Sequence, residues 1–528
     1  MLNYSVAELR YNTNLMSTQT PNNNTRIAKN TLLLYFRMLF TMAVSLYTSR
    51  VVLNTLGVED FGVYNVVGGI VSMLSFFNSS MATSTQRFLN YEMGQNNDKG
   101  LRDVFVNAVN AHYLIGFITV IGLETIGLWF VYNKLNIPQG QFDAALWVFH
   151  CSVLSLFVSI ISTPYNAAII ANERMGIYAY YSIFEVVLKL LIVYLLVVIP
   201  YNKLIVYGLL TLAVSVVMRI LYNVYCIRNF SECRYKWSWN MQLMKKMFFF
   251  SGWMLFGCIS DMLSKQGVNV LINIFFGPVF NAARAIAVQV QAAVNNFVTN
   301  FMTAVRPQII KSYSAGEFQH MYRLVFSSSK LSFYLLFVLT TPVLIYTEFI
   351  LQLWLKIVPE YCVLFTRLVL VELLISSAYV PIAQINQASG KIRNYQMAIS
   401  ILFLSSFILT YALYKIGMPV YSTFILSVAL AIVGLFVRVI ILKHDNAFPA
   451  STYLFKVMLP LIPVAGLSLV IPVLIYKYTE TTFLTFLFNS FIGFISSIVV
   501  IWIFGLDKVE KSFITEKINS RIHKKQIR

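Results

Sequence analysis

The chain has 528 residues, of which 58% are hydrophobic and only 12% charged, about half the charged share of an ordinary soluble protein. With 42 Phe, 31 Tyr and a mean hydropathy of +0.70, it reads as neither a water-soluble globule nor a disordered chain, which leaves a polytopic membrane protein. The 40 Lys+Arg against 21 Asp+Glu, net +19, therefore raise the question of which membrane side the cations occupy, and nucleic acid is not needed to explain them.

A bilayer core of ~30 Å takes about 20 apolar residues of helix. After a polar N-terminal segment, 1–30, with no apolar run of the signal-peptide kind, spans are predicted near 31–53, 61–85, 105–131, 143–170, 178–199 and 204–227. These six make an N-lobe, 31–228. A basic linker, 229–246, leads to a C-lobe, 247–443, with spans near 247–275, 280–305, 331–355, 361–385, 396–414 and 421–442. Two further helices fall within 454–505, near 454–476 and 482–505, and a basic tail, 506–528, ends the chain. The first of this pair carries Pro460, Pro463 and Pro472 and should be kinked. The expected fold is all-α, with about 14 transmembrane helices.

The cations fix a sidedness. With the N-terminus in the cytoplasm, the loops assigned outside hold only Arg50, Lys134, Lys203, Lys356, Lys415 and Lys477. The other loop cations, and the tail from Lys508 to Arg528, face anionic cytoplasmic lipid. An even number of spans with both termini inside is the reading that concentrates charge in this way.

The two lobes repeat. Gln86, Tyr91 and Gly94 after the second span match Gln308, Tyr313 and Gly316 after the eighth at a shift of 222. Arg102-Asp103-Val104-Phe105 matches Arg323-Leu324-Val325-Phe326 at 221. Pro164, Ala171, Arg174 and Tyr178 match Pro381, Ala388, Lys391 and Tyr395 at 217. Six spans being even, both copies start on the same side. The repeat is parallel, a design suited to alternating access at a site between lobes.

Spans 2 and 8 hold equivalent places and are unusually polar. Ser72, Ser75, Ser79, Thr83 and Gln86 lie on one helix face, as do Gln289, Asn296, Asn300, Thr303 and Pro307. Amide stripes are unfavourable in hydrocarbon unless they meet water or partners, so a hydrated cavity lined by both helices is expected, with packing through small polar residues the alternative. Charges within spans are functional candidates. Arg37 lies about 9 Å into span 1 at ~1.5 Å per residue. Asp261 and Lys265 sit one turn apart in span 7, Arg284 opens span 8, and Arg50 ends span 1. Glu185 and Lys189 have the spacing of a self-neutralising pair, and Arg367 and Glu372 lie in another helix, span 10. The cysteines, Cys151, Cys226, Cys233, Cys258 and Cys362, show no metal or disulfide spacing, and no cofactor is expected. His112 and His150 are isolated, outside loops are short and no phosphate loop appears, which weighs against a membrane enzyme.

The segment Leu56-Gly57-Val58-Glu59-Asp60-Phe61-Gly62-Val63-Tyr64-Asn65 resembles the loop between the first two spans of polysaccharide flippases. These belong to the multidrug/oligosaccharidyl-lipid/polysaccharide exporter superfamily. The Gln86–Gly94 segment, the six-plus-six-plus-two order and the length fit as well. The resemblance spans nearly the whole chain and specifies superfamily better than substrate. It implies a transporter in the bacterial inner membrane and not an enzyme. Such a flippase moves undecaprenyl-pyrophosphate-linked oligosaccharide units to the periplasmic leaflet for O-antigen or capsule biosynthesis. It further implies that the first two helices of each lobe line the cavity and that cavity cations engage the pyrophosphate. Carried over by helix, those cations are Arg37, Arg50, Lys265 and Arg284, with Gln289, Asn296 and Asn300 as further substrate contacts. Asp261 is the expected coupling site for an ion, H+ or Na+. Membrane lipids and polysaccharide assembly proteins are the other expected partners. The runner-up is a multidrug or cation antiporter of the same superfamily, with a membrane glycan-modifying enzyme as the third reading.

Overall fold

The computed structural model describes residues 20–73, 75–134, 137, 140–355, 358–508, 510–512 and 515. Helices account for nearly all of them, and no strand occurs among the described residues. The N-lobe comprises α1 (Thr20–Met73), α2 (Ser75–Gly94), α3 (Asp98–Gly122), α4 (Leu128–Lys134), α5 (Phe142–Ala171), α6 (Met175–Val198) and α7 (Lys203–Asn229). A π turn, Leu123–Gly127, joins α3 to α4 without a break. The C-lobe comprises α8 (Met241–Phe276), α9 (Pro278–Ser314), α10 (Phe318–Ile345), α11 (Thr347–Leu355), α12 (Cys362–Ser389), α13 (Arg393–Lys415) and α14 (Ser422–Asn446). Short α15 (Ala450–Tyr453) runs through a second π turn, Leu454–Met458, into α16 (Leu459–Tyr478), and α17 (Phe483–Val500) follows. Pro463 and Pro472 lie inside α16.

Twelve described helical stretches are long and apolar enough to cross a membrane. Neither α2 nor α9 is among them, since both carry the polar stripes. Together with those two, the count is fourteen, in line with the expected number.

The turn expected between the first two spans is tighter than a loop. Within α1 only Gly57 leaves helical dihedrals, with φ 84° and ψ 168°, a region open essentially to glycine. Its counterpart is Gly277, between α8 and α9, at φ 91° and ψ −179°. The repeat is thus written in the backbone as well as in side chains. Left-handed Glu173 and Gly390 form a further pair at the shift of 217, and left-handed Asn96 and Gly316 each stand two residues past the ends of α2 and α9.

One end of the bundle gathers the start of α1, the α2–α3, α5–α6, α9–α10 and α12–α13 turns, and the end of α17. It is called the N-face here. Hydrophobic clusters near the N-face are shared between lobes. One unites Leu34 of α1, Met175 of α6 and Ala304 of α9, another Met81, Ala111 and Met244, and the largest adds Met247, Phe250 and Ile392 to N-lobe side chains. Toward the opposite face each lobe packs alone. Val63, Val67, Leu123 and Phe149 form an N-lobe core, and Leu271, Ala287, Phe365 and Phe424 a C-lobe core. The lobes therefore meet at the N-face and part above it.

The C-terminal helices attach to the C-lobe through α10. Lys330, only 8% exposed, donates to Glu510 Oε2 at 2.7 Å and to Asp507 Oδ2 at 3.3 Å. Ser327 reaches Glu510 Oε1 at 2.9 Å.

Candidate functional site

The parting of the lobes creates a cleft whose walls are α1, α2, α8 and α9. On α9, Ala285, Gln289, Ala292, Asn296 and Thr299 recur at helical spacing and are exposed; the same face continues through buried Pro307, Ile310 and Ser314 at the N-face. An outward lipid face looks different. On α14 the exposed residues include Ile425, Ile432, Phe436 and Ile440. A face of amides, threonines and alanines left open between two lobes belongs to water.

The other walls behave alike. On α8 the face that packs Met247 and Ser251 against the N-lobe, where Ser84 and Ser80 donate to their carbonyls at 3.3 and 2.7 Å, carries Asp261 and Lys265 further up. Lys265 Nζ donates to Asp261 Oδ2 at 2.8 Å, and their side chains are 68% and 34% exposed. On α2, Ser79 is exposed, Thr83 half-buried and Gln86 buried. The side chains of Ser72 and Ser75 lie outside the described residues.

Arg37 and Asn300 form the floor. The Arg37 guanidinium donates from Nη2 to Asn300 Oδ1 at 2.9 Å, and from Nη1 to Ser182 Oγ at 3.2 Å. It sits 4.7 Å from the Tyr178 ring centroid, where cation–π attraction supports it. One side chain thus ties α1 and α6 of the N-lobe to α9 of the C-lobe. Asn300 Nδ2 donates in turn to Asn296 O at 2.8 Å. Arg284 is turned onto α8, donating to Asn269 Oδ1 and to the Lys265 carbonyl, each at 3.1 Å. Its cation therefore stands on the same wall as Lys265. Arg50 lies on α1 near the Gly57 kink, and its side chain is outside the described residues.

The structure therefore places the candidate residues in two groups along α9, Arg37 with Asn300 and Asn296 at the floor and Arg284 with Lys265 and Asp261 higher on α8 and α9, with exposed Gln289 on the same α9 face as Asn296. Glu372, set aside on the sequence as belonging to another helix, connects inward to the same wall. Gln291 Nε2 on α9 donates to its Oε2 at 2.6 Å. Behind it Arg438 stacks 4.2 Å from the Tyr379 ring and donates to Tyr395 Oη at 3.1 Å. Its position as a charge within a span flags this carboxylate in the sequence, but its place behind α9 shows only when α9 and α12 are read together. Glu185 and Lys189 do pair, at 2.6 Å.

No family model and no curated protein matches this sequence. Solved structures do match it along most of its length. A MATE point mutant superposes with a TM-score of 0.66 at 13% identity, covering 80% of this chain and 97% of that one. A multidrug resistance MATE family transporter of the MOP superfamily, in an outward-facing conformation, gives 0.64 at 12% identity, covering 83% and 99%. A MOP superfamily transporter from Pyrococcus furiosus, described as having a binding pocket of reverse polarity that suggests a different function, gives 0.61 at 14%, covering 81% and 96%. The chain shares the two-lobe fold of these proteins.

Proposed function

We propose that this protein is an alternating-access exporter whose cargo carries phosphate and sugar, of the class of undecaprenyl-pyrophosphate-linked oligosaccharides, and that the N-face is cytoplasmic. The observation that carries the reading is the charge of the cleft, where Arg37, Lys265 and Arg284 stand against Asp261 between polar helix faces, with Glu372 behind the α9 wall and Arg438 behind it in turn. A diphosphate with its sugars does not cross hydrocarbon unaided, because losing its hydration costs far more than thermal energy. A wet cleft with fixed cations replaces that hydration, and arginine binds phosphate oxygens in bidentate fashion. The amides and hydroxyls of α2 and α9 suit sugar hydroxyls. Rocking of the lobes about the Arg37–Asn300 floor then exposes the cleft to one leaflet and the other in turn, with Asp261 as the site of ion coupling.

A second reading is an antiporter of drugs or cations. The solved structures of like fold include a multidrug resistance transporter, and on fold alone they favour this reading over a flippase. A cationic drug calls for a net acidic cleft, and the excess of cations here supports an anionic cargo instead. The fold also accommodates a pocket of reverse polarity, so the fold does not dictate the sign of the cargo. The deciding experiment is gene deletion followed by lipid analysis. Accumulation of polyprenyl-linked oligosaccharide on the cytoplasmic side supports the flippase. Unchanged glycan export with altered drug resistance refutes it in favour of the antiporter.

A further inference from the structure

The N-face closure is held by side chains that the cleft does not use. Glu173, in the turn between α5 and α6, has its side chain 2% exposed and its backbone left-handed at φ 57°. Within the N-lobe, Arg26 Nε meets its Oε2 at 2.7 Å. From the C-lobe, Lys311 Nζ donates to Oε1 at 2.8 Å, and Gln308 Nε2 to both oxygens at 2.6 and 2.7 Å. Lys311 also donates to the Ala171 carbonyl, at the end of α5, at 2.7 Å.

A matching contact runs the other way. Arg87 of α2 donates to the carbonyls of Gln387 and Ala388, at the end of α12 in the C-lobe, at 3.1 and 3.0 Å. Ala388 is the repeat counterpart of Ala171, and α2 is the counterpart of α9. Each lobe thus sends a cation onto the C-terminal carbonyls of the same helix in its partner lobe, where orphan acceptors and the helix dipole favour positive charge. The two clasps place their cations two positions apart on the repeat, Arg87 opposite Ile309 and Lys311 opposite Leu89, and they differ again at the turn. Where the first has Glu173, the second has Gly390, left-handed at φ 77°, and a Cβ there would stand 2.8 Å from Arg87 Nη2. Arg87 is held instead by rings, 4.5 Å from Phe88, 4.9 Å from Tyr91 and 5.6 Å from Phe250.

We propose that this pseudo-symmetric pair of clasps is the latch that keeps the N-face shut, and that Glu173 is its dominant member because, among the described residues, it alone neutralises a cation of the opposite lobe. This rests only on the alternating-access part of the functional reading. Opening the N-face leaves Glu173 with Arg26, on its own lobe, while Lys311 passes to water. The carboxylate is therefore pre-set in both states and its cross-lobe bonds exist in one. Burial pulls the Lys311 ammonium below its ordinary value and Glu173 opposes that pull, so a closed face without the carboxylate strands a buried charge. The closed interface also holds amides with no hydrogen-bond partner among the described residues, Asn90 at both atoms and Gln86 at Nε2. Such groups gain hydration on opening, which sets the latch against a ready opposing force.

The test is a distance measurement on cargo-free protein in nanodiscs. Spin labels go at Lys99→Cys on the N-lobe and His444→Cys on the C-lobe, both exposed, in a Cys258→Ser background, since the other four cysteines are buried. Wild type should show one short N-face distance. Glu173→Gln should raise the long-distance population by about tenfold or more, and Lys311→Met by less. The Glu173→Gln/Lys311→Met double variant should return most of the short population, because neither charge is then stranded. Unchanged distances in both single variants, or a double variant no better than Glu173→Gln, overturn the latch. If Glu173→Gln does not fold, Lys311→Met and Gln308→Leu carry the same test. The readout needs no cargo, so a failed latch and a wrong cargo are told apart.

Discussion

Replacing Asn300 with Asp tests the sign of the cleft with almost no change of shape. The new carboxylate would stand where Oδ1 now accepts from Arg37 Nη2 at 2.9 Å. Opposite charges ~4 Å apart at an effective dielectric of ~20 attract by about 4 kcal/mol. Desolvation returns part of that, and the lost donation from Asn300 Nδ2 to Asn296 O removes about 1 kcal/mol more. Folding stability should therefore change little, while Arg37 becomes neutralised in place. A phosphate that relied on Arg37 loses a charge-assisted bond of about 1.5–3 kcal/mol, or roughly 10- to 150-fold in Kd. Calorimetric titration of the purified protein with inorganic pyrophosphate, and then with a polyprenyl pyrophosphate, reads this directly. Arg37→Met should weaken binding comparably and Arg37→Lys less, since lysine offers a point charge without the fork. Pyrophosphate binding within twofold of wild type in both Asn300→Asp and Arg37→Met refutes the anionic-cargo reasoning. Tighter binding of a cationic dye by Asn300→Asp, with no pyrophosphate binding in wild type, points to the antiporter.

Three other outcomes follow from the same geometry. Asp261→Asn should abolish the dependence of flipping on a proton or sodium gradient in proteoliposomes, and undiminished gradient-driven flipping removes the coupling role from that carboxylate. Glu510→Gln should leave Lys330 buried with only Asp507 at 3.3 Å; a lower thermal midpoint, by a few degrees for a loss of ~1–2 kcal/mol, is the expected result, and an unchanged midpoint argues that the C-terminal helices are held by apolar packing alone. Gly390→Ala should cost about 1–2 kcal/mol for the left-handed backbone and displace Arg87, giving a lower midpoint and a larger N-face-open fraction in the spin-label assay. A variant with wild-type values would mean that Arg87 can yield without loosening the closure.

Much of this protein is local enough to be read from its residues. A bilayer demands helices of a set length with their polar groups satisfied inside, so composition and run length alone announce the spans. Periodicity then announces polar faces on α2 and α9 that suit a cavity or close helix packing better than lipid, and on α9 Gln289 and Asn296 are exposed while Asn300 is buried against Arg37. The closure could not be read in this way. Counting cations by loop treats Arg26, Arg87 and Lys311 as equal tokens of a cytoplasmic surface. Folding spends them differently, burying Arg87 beneath Gly390 and Lys311 against a carboxylate far away in the chain. Glu173 looks like an exposed turn residue because nothing within a few positions buries it, and its environment exists only once α1, α5 and α9 converge. The link from Glu372 to Gln291 of α9 depends on the same kind of convergence. Hydropathy and periodicity are sums over neighbours in sequence, whereas the pairing of charges between lobes depends on neighbours in space, and only the tertiary structure supplies those.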